Sequence, residues 1–582
     1  MYKRGAVGLK KEIFQTIITA VILLPFVTKP FETIKTQFAA YEAALDIYYF
    51  QRIFSIDDNF LQLGNMYVDS ENYQYRQTNN LSLGELLQKS FFHLLDKNVI
   101  ATYYLFSLLI LFLWLVLITR LTVEKVKISR IKSLVLTSIL FISFFGYNNV
   151  LNTNYSFARI LSPQISVLLW LVGLKLISKI IATRNSEKPK LWHLSFFHLL
   201  ILVSSFTYLY TFMSLIAVNL ILLTIYTVKK DFVSLIWSIF LTLMSSLPFI
   251  FLNYSKSNEE RFKDAGERMG LIDYHFFGSI QTVLICLGIC LFIVAHCRFL
   301  RVKHQCSNLE FVLLISSSGI LFASQSNVIT GREIQFYHFD LFAKTNLMIY
   351  LLLLLSRVKL VGNRYQLTLY RTPIVGLLSG ILILNSIFSI FRPVLSNSES
   401  LSATKFTINR YTERDRLIVD VANLQNAFPV YSKAKLLYQS DITTYGFTNR
   451  EVLARAFISS GCPNQLSKEF KSEIEVYRAV AIYQKAIALK KFMDYLKVNF
   501  ILSSLYESTL ESAYRERSEI KSEIDEFLMS VSEFSCIALA KSYGIDYVIF
   551  DNYSGWQSIA KNNDLLVNSL KLKGIDLYEI RI

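Results

Sequence analysis

Cysteine is scarce: the 582-residue chain has six. Cys286 and Cys290 fall inside an apolar run and Cys297 and Cys306 in the basic stretch after it, which leaves Cys462 and Cys536 in the polar C-terminal region. A disulfide-framework fold is therefore excluded. A single Cys462–Cys536 bridge in an oxidising compartment stays open, with two buried thiols as the favoured alternative. The C-terminal region also lacks GxGxxG, GxxxxGK(S/T) and GxSxG, so nothing in it supports nucleotide or esterase chemistry. The first apolar run, Ile13 to Val27, lacks a small-x-small cleavage site and ends in Pro25 and Lys29-Pro30, so it reads as a retained signal anchor.

A basic surface is missing too. The formal net charge is +16, but the surplus sits in short segments between apolar runs: Lys3 to Lys11, Arg120 to Lys132, Lys179 to Lys190, Lys229-Lys230, Arg298 to Lys303 and Arg357 to Arg371. That is the charge pattern of cytoplasmic loops and excludes nucleic acid as a partner.

Apolar side chains dominate what is present. Hydrophobic residues make up 53% of the chain and the mean hydropathy is +0.38. That is more than one soluble core can bury, so the expected partner is a lipid bilayer. Apolar runs occur near 13–28, 99–120, 133–150, 164–182, 195–209, 211–228, 231–253, 278–297, 310–324, 344–359 and 372–392. They predict a mainly α, multi-pass bundle of about 11 transmembrane helices. Phe196 to Val228 is nearly continuous and holds either two spans with a tight turn near Tyr208-Leu209-Tyr210 or one long tilted helix. Two spans, with the N-terminus cytoplasmic, put every basic segment on one side. The non-cytoplasmic face then receives a long first loop, 29–98, followed by 147–163, 254–277, 325–342 and everything after about 392.

The expected organisation is a membrane domain over 1–392 and a soluble α/β domain over 393–582. In the latter, Leu436–Gln439, Phe500–Ser504 and Tyr547–Asp551 read as strands, and Ile474 to Val498 and Ile520 to Tyr543 as helical stretches, with Gly544 as a helix C-cap.

Candidate chemistry lies in the outer loops. Asp57-Asp58 can hold a divalent cation or supply a base, or can serve as a helix cap or turn. Glu42 and Asp46, at i, i+4, form a second carboxylate pair. Arg159, in Ala158-Arg159-Ile160-Leu161-Ser162-Pro163-Gln164, can clamp a phosphate or snorkel to lipid headgroups. Arg268 belongs to a mixed-charge loop that is mostly solvated surface. The densest polar cluster at any span boundary runs from Gly331-Arg332-Glu333 through Tyr337-His338-Phe339-Asp340. Arg332 and His338 are positioned to meet an anionic headgroup, with Glu333 or Asp340 fixing the imidazole tautomer; the alternative is an aromatic interfacial belt. His296-Cys297 and His304-x-Cys306 match no common zinc spacing.

This layout resembles the GT-C superfamily of membrane glycosyltransferases, which use polyprenyl-phosphate-linked sugars. The resemblance covers the whole chain by architecture. Arg159-Ile160-Leu161-Ser162-Pro163-Gln164 and Gly331-Arg332-Glu333-Ile334-Gln335-Phe336-Tyr337-His338 are similar to strings in bacterial members. The resemblance implies a multi-pass protein of a bacterial inner or plasma membrane. Such a protein moves a sugar from a polyprenyl-phosphate donor to a glycan, lipid or protein acceptor on the non-cytoplasmic face. Asp57 or Asp58 would then be the base or the ligand of Mg or Mn, and Arg159, Arg268, Arg332, Glu333, His338 and Asp340 would contact substrate. The chain departs from the family in the longer stretch before Asp57, which keeps Glu42 and Asp46 as alternative acids. The competing classes are a transporter or flippase, against which the spans hold few charges and no duplicated halves, and a non-catalytic polysaccharide assembly protein.

Overall fold

The structure, a computed structural model, describes residues 2–27, 83–126, 130–145, 164–183, 187–257, 280–299, 308–326, 336–356, 416–420, 435–437, 449–462, 535–551, 554–565, 567–572 and 575–582, with single helical positions between 511 and 530. It is mainly helical. Among the described residues, eleven α-helices precede the first described strand: α1 (Tyr2–Val27), α2 (Leu83–Leu94), α3 (Val99–Val126), α4 (Arg130–Phe145), α5 (Ser166–Ala182), α6 (Glu187–Ser205), α7 (Leu209–Val228), α8 (Phe232–Ser257), α9 (Ile280–Phe299), α10 (Asn308–Ser324) and α11 (Asp340–Ser356). A 3-10 turn, Phe336–Phe339, leads into α11.

Three helices, over Ala101–Thr122, Leu209–Val228 and Phe232–Phe251, are long and apolar enough to cross a membrane. Shorter apolar helices cover Glu12–Val27, Ser133–Phe145, Lys190–Ser205, Gln281–Ala295 and Asn308–Ser324. The long run from Phe196 to Val228 divides as two helices, α6 and α7, joined by a turn at 206–208. The expected run at 372–392 lies outside the described residues.

Neutral groups and small residues bring these helices together. Trp114 of α3 meets Phe141 and Phe145 of α4 edge-on, each at 5.3 Å, and donates its indole N–H to the Gln164 carbonyl at 2.9 Å. A Cβ built on Gly319 of α10 would lie 2.5 Å from Cγ2 of Val218 on α7, so the two backbones approach through a missing side chain. Small residues at a crossing maximise dispersion contact where lipid supplies no hydrophobic drive.

α2 is inverted relative to a water-soluble amphipathic helix. Glu85, Gln88 and Lys89 are buried, while Leu87 and Leu94 are 52% and 78% exposed. Leucines outward and charges inward suit a helix lying along a lipid interface against protein. The Leu83 N–H donates to the Phe206 carbonyl at 2.9 Å, tying the start of α2 to the α6–α7 turn.

The C-terminal residues form β1 (Arg416–Asp420), β2 (Lys435–Leu436), α12 (Asn449–Ser459), α13 (Cys536–Ser542), β3 (Tyr547–Asp551), α14 (Gly555–Asn562), β4 (Asn568–Leu572) and β5 (Ile575–Arg581). The five-stranded sheet has the order β2-β1-β3-β5-β4. β2, β1 and β3 are parallel, with Ile418 opposite Val548; β5 is antiparallel to both β3 and β4. Ile418, Val548, Phe550 and Ile580 form its core with Trp556 of α14. The expected strand at Tyr547–Asp551 is β3, and that at Leu436–Gln439 overlaps β2. The stretches expected at Phe500–Ser504 and Ile474 to Val498 lie outside the described residues. Gly544, at φ +63°, caps α13 as the sequence predicts.

Cys462 and Cys536 form a disulfide across 74 residues, with Cα atoms 5.7 Å apart, which corrects the favoured reading of two thiols. The bridge sits where α12, α13 and α14 converge. A Cβ on Gly461 (φ +77°) would lie 2.6 Å from the Gly555 backbone, and the Trp556 indole donates to the Ile458 and Ser459 carbonyls at 3.1 and 3.2 Å.

Candidate functional site

Of the residues the sequence nominates, His338 and Asp340 are described. Glu42, Asp46, Asp57, Asp58, Arg159, Arg268, Arg332 and Glu333 lie outside the described residues.

His338 stands in the 3-10 turn, 8% exposed. Its Nδ1 shares a 2.5 Å hydrogen bond with the hydroxyl of Tyr208, in the α6–α7 turn. The imidazole stacks on Tyr210 at 4.3 Å and 24°, and Tyr210 also meets Phe339 edge-on at 5.5 Å. Two tyrosines from the start of α7 thus fix both the plane of the ring and the partner of one nitrogen. When the phenol donates, Nδ1 is the acceptor and Nε2 keeps the proton, which makes Nε2–H a donor.

Asp340 opens α11, where a carboxylate is favoured by the positive end of the helix dipole. Thr282, in the first turn of α9, donates its hydroxyl to Oδ1 of Asp340. Lys344, one turn into α11, is 5% exposed. The starts of α7, α9 and α11 therefore meet at one end of the bundle, the end to which α2 is tied through Phe206.

The opposite end is simpler. Lys190 of α6 forms an ion pair with Asp231, which precedes α8, and its ammonium lies 4.8 Å from the Tyr226 ring centroid. α7 separates the two ends: its 20 residues extend about 30 Å, the thickness of a bilayer's hydrocarbon.

Among the described residues no group of three or more His, Cys, Asp and Glu comes together. Asp340, a single carboxylate with a lysine one turn on, is not a cation cage. Sequence reading missed Tyr208, Tyr210, Thr282 and Lys344 as site residues; the aromatic pair beside the helix break was the available signal. Compared with known proteins, the chain matches no family model and no curated protein.

Proposed function

We propose that the chain is a multi-pass membrane glycosyltransferase. It moves a sugar from a polyprenyl-phosphate donor to a glycan, lipid or protein acceptor at the non-cytoplasmic face of a bacterial plasma membrane. One observation carries the reading: His338, Tyr208, Tyr210 and Asp340 gather at one end of the bundle, beside an interfacial helix whose leucines face outward. A lipid-linked donor keeps its tail among the helices and presents phosphate and sugar at that level. Burial of polar groups is costly within lipid, so chemistry belongs at helix ends.

In the proposed reaction an acceptor hydroxyl oxygen forms a bond to the anomeric carbon as the bond from that carbon to the phosphate oxygen breaks. The electron pair leaves with the phosphate, and the hydroxyl proton passes to Asp57 or Asp58. Arg159, Arg268, Arg332 and the Nε2–H of His338 would stabilise the departing phosphate, with Glu333 and Asp340 orienting those donors. Where a divalent cation, Mg or Mn, takes part, the one of Asp57 and Asp58 that is not the base would hold it, and it would add positive charge there.

Sidedness agrees with the basic segments, which eleven spans place together in the cytoplasm. It agrees also with the Cys462–Cys536 bridge, since disulfides persist in oxidising compartments.

The test is sugar transfer from a radiolabelled polyprenyl-phosphate donor by the purified protein. We expect wild-type turnover, loss of it in the Asp57→Ala/Asp58→Ala double variant, and a fall of at least 100-fold in His338→Ala with the fold intact. No transfer to any acceptor, together with substrate flux in vesicles, would establish a transporter instead.

A further inference from the structure

The end of the bundle away from His338 carries a surface that the proposed chemistry does not use. α7 stops there in a tight turn: the Lys230 and Asp231 N–H groups donate to the Thr227 and Tyr226 carbonyls at 3.1 and 2.9 Å, and Lys230 has φ +56°. Glycine fits that left-handed place without steric cost. A lysine held there is a strained residue, of the kind kept where its side chain has a use. Lys229 and Lys230 are both exposed. The next residue, Asp231, is paired with Lys190, so among the described residues the two exposed lysines give this end a positive face.

Below the lysines, α6 and α8 share an outward aromatic surface. Trp192 and Phe196 of α6 are 67% and 52% exposed, with ring centroids 6.1 Å apart. Trp237 and Phe240 of α8 are 39% and 49% exposed and stack at 6.0 Å. The Trp237 indole N–H donates to the Ser195 hydroxyl at 3.2 Å, which joins the two pairs. A tryptophan of an ordinary interfacial belt turns its N–H to water or headgroups, whereas Trp237 gives its own to α6. It also lies six residues beyond Asp231, about 9 Å along the helix, at the depth of acyl chain rather than headgroup.

We infer that this surface binds an anionic phospholipid, with its phosphate on Lys229 and Lys230 and an acyl chain laid over the rings of Trp192, Phe196, Trp237 and Phe240. Basic side chains at the end of a span attract acidic headgroups, and exposed rings offer a chain a large apolar contact area. A zwitterionic headgroup brings its own cation to the lysines and is the weaker ligand. On the proposed sidedness the lipid belongs to the cytoplasmic leaflet, where anionic lipids give the membrane its negative surface potential. The site lies at the opposite end of α7 from His338, so the inference stands apart from the transfer reaction.

The chain has five tryptophans, and Trp114, Trp170 and Trp556 are fully buried, so Trp192 and Trp237 are the ones a lipid can touch. The full-length protein is reconstituted in phosphatidylcholine with rising fractions of brominated phosphatidylglycerol or brominated phosphatidylcholine, and contact is read as quenching of tryptophan fluorescence. Phosphatidylglycerol is expected to bind on the order of tenfold more tightly than phosphatidylcholine, an advantage that shrinks in high salt. The Lys229→Gln/Lys230→Gln variant is expected to bind both lipids alike, and Lys97→Gln, beside α2, to keep the wild-type preference. Lys230→Gly, which relieves the turn, is expected to lose most of the preference and to melt no lower than wild type, which separates loss of binding from loss of fold. Equal binding of the two lipids by wild type would overturn the inference and leave ordinary annular lipid, as would a preference that survives in the double variant. A wild-type preference in a protein that transfers no sugar would keep the lipid site and reject the transferase; transfer without the preference would do the reverse.

Discussion

The helical bundle and the C-terminal sheet bury polar groups by different means. Inside the bundle the cross-links are mostly neutral. The Trp170 indole donates to Oδ1 of Asn346 at 3.1 Å, and Asn346 donates to the hydroxyls of Ser316 and Ser317 at 2.9 and 3.1 Å, joining α5, α10 and α11. Asn219 of α7 donates to Thr242 of α8 at 2.7 Å and accepts from Ser238 at 3.0 Å. Charged pairs stay near helix ends, as with Lys190 and Asp231. The sheet unit instead buries an ion pair: Arg455, fully buried, donates to Glu451 at 2.7 Å and to the Leu437 carbonyl at 3.2 Å. Tyr543 donates to the other Glu451 oxygen at 3.1 Å. The contrast is the one that the proposed membrane reading expects. Lipid around helices gives them no hydrophobic reason to associate, so on that reading modest neutral hydrogen bonds and small residues do the joining. The sheet unit has a hydrophobic core of its own, and its enclosed ion pair is held by the further hydrogen bonds to Leu437 and from Tyr543.

The largest expected effect lies in the sheet unit. Arg455→Ala leaves Glu451 buried without its cation and should cost about 3–5 kcal/mol, read as early melting of this unit by calorimetry; a loss below about 1 kcal/mol would erase the contrast. Cys462→Ser opens the 74-residue separation spanned by the bridge and should cost roughly 2–4 kcal/mol. Reductant should reproduce that loss in wild type and leave the variant unchanged. In the bundle, Asn346→Leu should cost only about 1 kcal/mol; a loss as great as that of Arg455→Ala would show that neutral pairs carry as much as the buried ion pair.

The smallest effect concerns Lys190 and acid. Burial alone would raise the Asp231 carboxyl, but hydrogen bonds from Lys190 and Ser234 and the charge of Lys190 outweigh it and hold it below its ordinary 3.8. A depressed carboxylate contributes stability that is fully present above the ordinary value and is lost as pH falls through the folded one. Wild type should therefore exceed Lys190→Gln by about 1 kcal/mol or less at neutral pH, and the gap should close below pH 3.8. A gap that widens in acid would reverse the sign.

Much of the helical part was legible because a long apolar run away from water satisfies its backbone most simply within itself, so apolar length marks a helix. Where they are described, the apolar runs from 13–28 to 344–359 fall on helices, and the sidedness of the basic segments favoured two helices over one within Phe196 to Val228. Tyr547–Asp551 was legible because a glycine-capped helix precedes a β-branched run. β1, β4 and β5 were not singled out: β4 and β5 pair with each other as adjacent segments and were missed, whereas β1 pairs with β3, distant in the chain. The same holds at the site. His338 and Asp340 stand out as polar residues at a span boundary, but Tyr208 and Thr282 reach them across 130 and 58 residues. The favoured thiol state of Cys462 and Cys536 failed likewise, because 74 residues of separation give no sign of proximity.

The central claim is that the His338 end of the bundle and the disulfide-bearing sheet share the non-cytoplasmic compartment. Single cysteines at the exposed positions Lys97, Lys230 and Lys561, in a background whose unbridged cysteines are serine, can be exposed to a membrane-impermeant thiol reagent in intact cells. The account predicts labelling at 97 and 561 and none at 230 until the membrane is opened. Labelling of 230 with 561 but not 97 would contradict it.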